Sequence, residues 1–502
     1  MPGNDDDNVD PLDEILDSGS RVMLDDSPLS GFLARRLVER YCFAPGLGWH
    51  RWTGKVWARE SEERMTKVVQ REFARLWTSE ALTADNDRRK RLSSLLNAGK
   101  IRAVKQLLRG LLLRETSGFD SLREAHLLNV QNGVVDLRTG DLRPHDPDLL
   151  FTKIAAVDYV PGTSHPDWDE ALGALPDDDT RDWLQLKLGQ AITGHPPTDD
   201  IMPILWGGGA NGKSTILACR YALGTFAGVV PDRVVLARPN DHPTELMVLR
   251  GLRFAVLEEL PEAVLSVRRL KHILGTSQIT ARETGANNVT WDATHTLVVS
   301  TNYRPRVMET DHGTWRRLAL VAFPFRFRKR SQTLERPEDR YGSEGLRERI
   351  ERGRKQREAV LAWLVEGAVR VYQGDDEQQL PEPSARVKAD TREWRGTVDL
   401  VQQFIEERLE FDEGCAVLST DLFAAFTRGL GTTGNAEWTD QTFTDRFSAH
   451  EAVLDQAAVR KERVRNAARL RLSRPTWNHD TKPVTGRRTV WHGLRFRAPE
   501  DG

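Results

Sequence analysis

The sequence predicts an α/β protein built around a parallel sheet, with an α+β domain and a helical collar before the sheet and a small domain of helices and strands after it. Three observations predict this. Four apolar runs, "IMPILW", "RFAVLEE", "HTLVVSTN" and "RRLALVAFPF", alternate with helical stretches between 199 and 330, the pattern of buried parallel strands. The first run leads directly into a glycine loop and a helix start, "ILWGGGANGKSTIL" at 204–217. The last hundred residues read as three short helices followed by a basic, β-rich end.

The 502 residues are enough for about three or four domains at ~100–200 residues each. Lys+Arg (72) and Asp+Glu (74) nearly cancel, for a formal net charge of −2. Global charge therefore points to no nucleic-acid partner, and local charge must be read instead. Cys42, Cys219 and Cys415 stand far apart with no C-x-x-C pair, which argues against a disulfide framework and a zinc site. They read as reduced, buried apolar residues in a cytoplasmic protein. The start, "MPGNDDDNVDPLDEILDSG", has neither a basic n-region nor an apolar h-region. Residues 1–28 are expected to be a disordered acidic tail. No window approaches ~18 apolar residues, so no membrane partner is expected.

Residues 29–150 form the expected α+β domain. "SGFLARRLVERYC" is amphipathic, and "GWHRWTGKVWARES" reads as a hairpin around a Thr-Gly turn. "LLNVQNGVVDLRTGDLRPHDP" reads as a second hairpin. Residues 151–198 are mostly helical, broken by Pro and Asp, and are assigned to the collar. The core with its trailing helices spans 199–395, and "GDDEQQLPEPS" within it reads as a linker. The C-terminal domain spans 396–502.

Gly207-Gly208-Gly209-Ala210-Asn211-Gly212-Lys213-Ser214-Thr215 contains G-x-x-x-x-G-K-[ST]. Such a loop turns backbone N–H groups onto phosphates. The lysine reaches the β- and γ-phosphates, and the Ser214 hydroxyl ligates Mg²⁺. ATP and Mg²⁺ are the implied ligands. A loop of this kind needs an acid at the end of a neighbouring strand, and "RFAVLEEL" offers Glu258 and Glu259. Glu258 is assigned to the metal and Glu259 to the attacking water, with the order open. The next apolar strand ends in Ser300-Thr301-Asn302, where an amide can orient water or touch the γ-phosphate. Arg316 and Arg317 open the last apolar strand. Guanidinium groups there can stabilise a transferring phosphoryl group, from a neighbouring subunit if need be.

In this order, GGGANGKST, LEE, TNYRP and TWRRLALVAFPF resemble the superfamily 3 helicases, especially the helicase part of phage, plasmid and poxvirus primases. The likeness is strong over 199–330 and weak after 396. It implies a P-loop AAA+-like core and a hexameric ring with ATP sites between subunits. Single-stranded DNA would run in the channel. Lys213, Glu258, Glu259, Asn302, Arg316 and Arg317 would form the catalytic set, with Arg317 leaning toward the finger role. The segment after the acids is similar to the family's DNA-contacting hairpin. Lys271 and Arg282 match its basic positions. The tip, "TGANNVTWD", carries no basic residue, so Asn287, Asn288 or Trp291 would share the grip. No zinc cluster or primase carboxylate set is seen in 1–150, so priming, if needed, is expected to come from a separate primase.

Between 460 and 497 stand twelve Lys/Arg, opposed only by Glu462 and Asp480, with Trp477, Trp491 and Phe496 interleaved. With the three preceding helices this fits a winged-helix domain for duplex DNA. The leading expectation is an ATP-driven DNA helicase of mobile-element replication. The alternative is an origin-binding initiator ATPase without processive unwinding.

Overall fold

The computed structural model describes residues 23–236, 243–282, 287–307, 312–374, 382–430, 438–475, 484 and 486–497. The chain divides into two compact units. One runs to Pro161 and includes Leu223–Phe226, and the other holds 162–222 and the chain from Ala227 onward. Most of the expected acidic tail lies outside the described residues. Within its last part, Leu24 is buried and helix α1 (Asp26–Leu37) begins.

In the N-terminal unit, α1 leads into an antiparallel sheet of β1 (Tyr41–Ala44), β2 (Gly48–Trp52) and β3 (Trp57–Glu60). The tryptophan-rich hairpin forms as its turn chemistry suggests. Trp52 pairs with Trp57 across it, ring centroids 5.6 Å apart. Helix α2 (Glu62–Glu80) starts at Ser61, whose side chain accepts from the Arg64 N–H, a normal N-cap. α3 (Asn86–Ser94) and α4 (Ala98–Leu111) follow. Met65, Val69 and Phe73 of α2 and Ile101, Val104 and Leu108 of α4 meet Leu29, Leu33 and Leu37 of α1 in one core. Each such residue, fully buried, is worth roughly 1.5–3 kcal/mol. A second sheet of β4 (Leu127–Val130), β5 (Gly133–Asp136) and β6 (Asp141–Arg143) forms where the second hairpin was expected. The chain after 150, assigned to the collar from sequence, bonds to this sheet: Ala155 N–H donates to the Asn129 carbonyl at 2.9 Å.

The second unit opens with α5 (Pro166–Leu172) and α6 (Asp178–Gln190). Its main sheet comprises β7 (Met202–Trp206), β8 (Ala227–Val229), β9 (Phe254–Leu260), β12 (Thr296–Thr301) and β13 (Leu318–Ala322), in the order β13-β7-β12-β9-β8. Every pairing in it is parallel. The short helix α7 (Lys213–Leu217) follows β7, and α8 (Val267–Leu274) follows β9. A two-stranded ribbon, β10 (Gln278–Ala281) and β11 (Val289–Asp292), lies between α8 and β12. A single helical turn, α9 (His312–Trp315), precedes β13. β14 (Arg326–Arg328) and β15 (Asp339–Tyr341) pair beyond it.

Helices α5 and α6 pack with two from far along the chain, α10 (Leu346–Arg352) and α11 (Arg354–Tyr372). α6 and α11 cross on glycine. A Cβ on Gly189 would lie 2.3 Å from the Gly367 carbonyl carbon, and one on Gly367 would lie 2.4 Å from the Gln185 carbonyl oxygen. Helix α12 (Ala385–Val398) covers β13: the Thr391 hydroxyl accepts from the Leu320 N–H, and buried Trp394 stacks edge-on against Trp315 at 5.0 Å. Of the expected linker, 375–381 lie outside the described residues.

The C-terminal part contains α13 (Leu400–Arg408), a ten-residue β16 (Leu409–Leu418), then α14 (Ser419–Leu430), α15 (Asp440–Ser448) and α16 (Glu451–Leu454). β17 (Arg460–Val464), β18 (Leu472–Ser473) and β19 (Arg488–Phe496) complete a sheet in the order β17-β19-β16-β18. Phe404, Phe426, Phe443, Phe447 and Trp491 fill its core. The sequence pattern did not reveal β16, because its pairing with β19 joins residues far apart in the chain. Trp477 and Lys482 lie outside the described residues. Among the described residues, no helix is long and apolar enough to cross a membrane.

Two outcomes test this packing. Gly367→Ala forces backbone apart at the α6–α11 crossing and should cost about 1–3 kcal/mol, read from the shift in urea midpoint. An unchanged midpoint would show that the crossing is loose. His295, 2 % exposed at the start of β12, is driven by burial to about 4, with the Ile273 carbonyl opposing weakly. Its folded pKa lies below the unfolded one (~6.5), so stability falls as pH drops from ~6.5 toward 4, by about 3 kcal/mol in total. A His295→Leu variant should lose that share of the acid sensitivity in pH-dependent denaturation.

Candidate functional site

Parallel strands put all their C-terminal ends on one edge, and ligands of open α/β sheets bind there where the strand order reverses. β7 sits between β12 and β13, at such a point. Gly207 to Gly212 leave β7 at this edge and enter α7. Gly209 and Gly212 have φ of 99° and 88°, and Ala210 has φ 52°. A Cβ on Gly212 would also sit 2.6 Å from the Ala174 Cβ, so only glycine serves there. The loop is strapped from behind. Asn211 Nδ2 donates to the Phe323 carbonyl (3.1 Å) and the Phe325 carbonyl (2.5 Å), and the Ala210 carbonyl accepts from Phe327 N–H at 2.8 Å.

Lys213 is 6 % exposed and burial lowers its pKa. Its ammonium donates to the Gly207 carbonyl (2.6 Å) and to Asn302 Oδ1 (3.1 Å). The lysine and the strand-end amide expected to share a site thus touch. Ser214 is exposed and Thr215 half-buried beside it.

Glu258 and Glu259 do not follow their strand, as the sequence suggested, but lie inside β9. Val299 pairs with Leu257 and Thr301 with Leu260, so β9 carries an extra residue across that step. This bulge turns both acids off the regular ladder, and Glu259 takes φ 56°. A left-handed glutamate is strained, which the surrounding parallel ladder sustains. Glu259 is exposed, whereas Glu258 accepts from Arg220 at 3.0 Å. Arg220 was not foreseen. It follows the loop helix and meets its acid 38 residues on, a pairing that leaves no local signal.

The arginine pair is not brought to this edge. Arg316 and Arg317 precede β13, and Leu318 pairs with Met202 at the opposite end of β7. The five-residue strand separates them from the glycine loop by roughly 17 Å at ~3.3 Å per residue. Arg317 is fixed in place: its side chain is 13 % exposed, pairs with Asp200 at 3.1 Å and donates to the Gly313 carbonyl. Arg316, 49 % exposed, reaches Asp200 only at 3.6 Å. Asp200 was also missed, because two acids before a strand read as turn residues. It takes φ 55°, and its neighbour Asp199 pairs at 2.5 Å with Lys187, whose side chain is completely buried.

The β10–β11 ribbon shares the arginines' edge, since it precedes the N-terminal end of β12. Its tip, 283–286, lies outside the described residues. Lys271, Arg282, Asn287 and Asn288 are exposed. Trp291 is half-buried and packs on the core, so it is the least available of the five. Beside the glycine loop a cavity of about 270 Å³ opens, lined by Ala174, Ala210, Gly212, Thr215, Phe327 and Leu346 among others.

A family model described as "D5 N terminal like" matches residues 31–175. A protein of African swine fever virus, provisionally named a primase, is 26% identical over 318 residues, covering 59% of this chain and 32% of its own length. A provisionally named helicase of Acanthamoeba polyphaga mimivirus is 23% identical over 342 residues, covering 61% of this chain and 35% of its own. The chain thus spans about a third of the length of these curated relatives. The apo structure of the NrS-1 C-terminal region has 11% sequence identity and a TM-score of 0.47, covering 92% of this chain and 98% of that one. The chain is therefore similar, at low identity, to viral proteins named as primases and helicases, and carries a D5 N terminal-like region ahead of its parallel sheet.

Proposed function

We propose that this chain is an ATP-hydrolysing DNA helicase of replication that works as a head-to-tail ring. One observation carries the reading: the phosphate-binding loop and the arginine pair occupy opposite edges of one sheet. A chain built so offers half a site at each edge, and a heterologous contact joins the halves and closes a ring. Six subunits follow from the family resemblance.

The glycine loop fits a triphosphate, because its backbone is held open and its glycines leave no side chain in the way. Ser214 and Glu258 are the residues that would hold Mg²⁺, which neutralises phosphate charge when bound. Arg220 must then yield Glu258, which makes it a competitor of the metal. Lys213 shifts from the Gly207 carbonyl toward the β- and γ-oxygens. Glu259 orients and deprotonates water, with Asn302 beside it. The cavity at Phe327 and Leu346 accommodates the nucleoside. Arg316, less engaged than Arg317, is better suited to reach a neighbour's γ-phosphate, and Arg317 braces it through Asp200. Lys271, Arg282, Asn287 and Asn288 would face single-stranded DNA. The basic C-terminal sheet would bind duplex. Names of the viral relatives support a replication role.

Lys213→Ala should lower phosphate release by roughly 10²-fold or more. Turnover at the wild-type rate would sink the loop assignment. Arg316→Ala and Glu259→Gln should each be inactive alone yet regain about a quarter of the activity when mixed equally, because one interface in four then combines an intact Glu259 with an intact Arg316. No recovery on mixing would count against action between subunits. Displacement of a strand from forked DNA separates the helicase from an origin-binding initiator, which would hydrolyse ATP without it.

A further inference from the structure

The near-neutral whole chain conceals a basic segment at the other end from the one the sequence patterns highlighted. Residues 35–114 hold nineteen Lys/Arg against eight Asp/Glu. Folding gathers part of this charge into one groove of about 450 Å³ between α2 and the β1–β3 sheet. Tyr41 and Arg51 are directly paired in the sheet and so share a face. Arg64, Lys67 and Arg71 stand on α2 at i, i+3 and i+7, one face of a helix. The groove's carboxylates do not cancel them. Glu60 already serves Arg51 at 2.7 Å and Arg64 at 3.4 Å, and exposed Glu63 is the other acid. Lys67 and Arg71 are both exposed, and no ion pair joins either to a carboxylate among the described residues. The Arg40 guanidinium extends the charge over the Tyr41 ring at 5.9 Å.

We propose that this groove is a second single-stranded DNA site, which binds the sugar-phosphate backbone in the N-terminal unit. Arg64, Lys67 and Arg71 climb about 10 Å of helix at ~1.5 Å per residue. A line of cations suits a run of phosphates better than a lone anion. The groove is a slot between a helix and a sheet, which favours a single strand over a duplex. The choice of DNA rests on the proposed replication role; the cationic line does not.

The test uses the full chain without nucleotide and a fluorescein-labelled 20-nucleotide single strand, with anisotropy read across a salt series. Lys67→Glu with Arg71→Glu should weaken binding about tenfold or more at ~0.1 M salt. It should also reduce the slope of log K against log salt by roughly 1.4, two contacts at ~0.7 each. A charge-matched control, Lys90→Glu with Arg102→Glu, reverses exposed cations of the same unit outside the groove and should keep the slope within error. Thermal midpoints of both variants check folding. An unchanged slope in the groove variant overturns the proposal, as does an equal loss in the control. Because no hydrolysis is read, failure of the ATP site would leave this result standing.

Discussion

The parallel ladder through β7 is the constraint on which the rest depends. Because β12 and β13 both run with β7, whatever ends a strand lands on one edge and whatever begins a strand lands on the other. Gly207 and Asn302 end strands, and the Glu258–Glu259 bulge sits near the end of β9. Arg316 and Arg317 begin one. An antiparallel β13 would have brought the arginines to the edge that carries the loop. The parallel one keeps them at the opposite edge of the sheet.

Local strain is concentrated where the site is made. Among the described residues five non-glycine positions have positive φ, and three of them are Ala210 in the loop, Glu259 on the bulge and Asp200 beneath the arginines. Each is held by neighbours that leave it little alternative. Ala210 is bonded by Phe327, Glu259 is flanked by the β9–β12 ladder, and Asp200 is clasped by two guanidinium groups beside the buried Lys187–Asp199 pair. Such conformations cost on the order of 1–3 kcal/mol apiece and persist only when the surroundings over-determine them. The glycine crossing of α6 and α11 brings the helices before the sheet against those that follow it, and Ala174 lies close beside Gly212.

Electrostatics divide by place rather than in total. A net charge of −2 is compatible with a strongly basic N-terminal segment and a basic C-terminal sheet, because acids elsewhere offset them. Many of the surface cations are matched, as in Arg349 with Asp167 or Arg370 with Asp182. Exposed pairs such as Arg370 with Asp182 contribute little to stability. The cations that matter are the ones whose carboxylates are absent or already committed.

The sequence by itself determined the parts whose signals are local. A strand, glycine loop and helix are written in fourteen consecutive residues. The apolar runs name the strands of the sheet apart from the short β8, and turn chemistry names the hairpins. Tertiary structure alone decided what depends on pairing across distance. The Lys213–Asn302 contact spans 89 residues and Arg220–Glu258 spans 38. β16 exists because β19 pairs with it, and α5 and α6 find their packing partners in helices beyond the sheet. The bulge at Glu258–Glu259 is a mismatch between two strands, which neither strand carries alone. Local patterns select elements through backbone propensity and apolar period. Register, bulges and ion pairs are chosen by the partner, and a single chain segment holds no record of its partner.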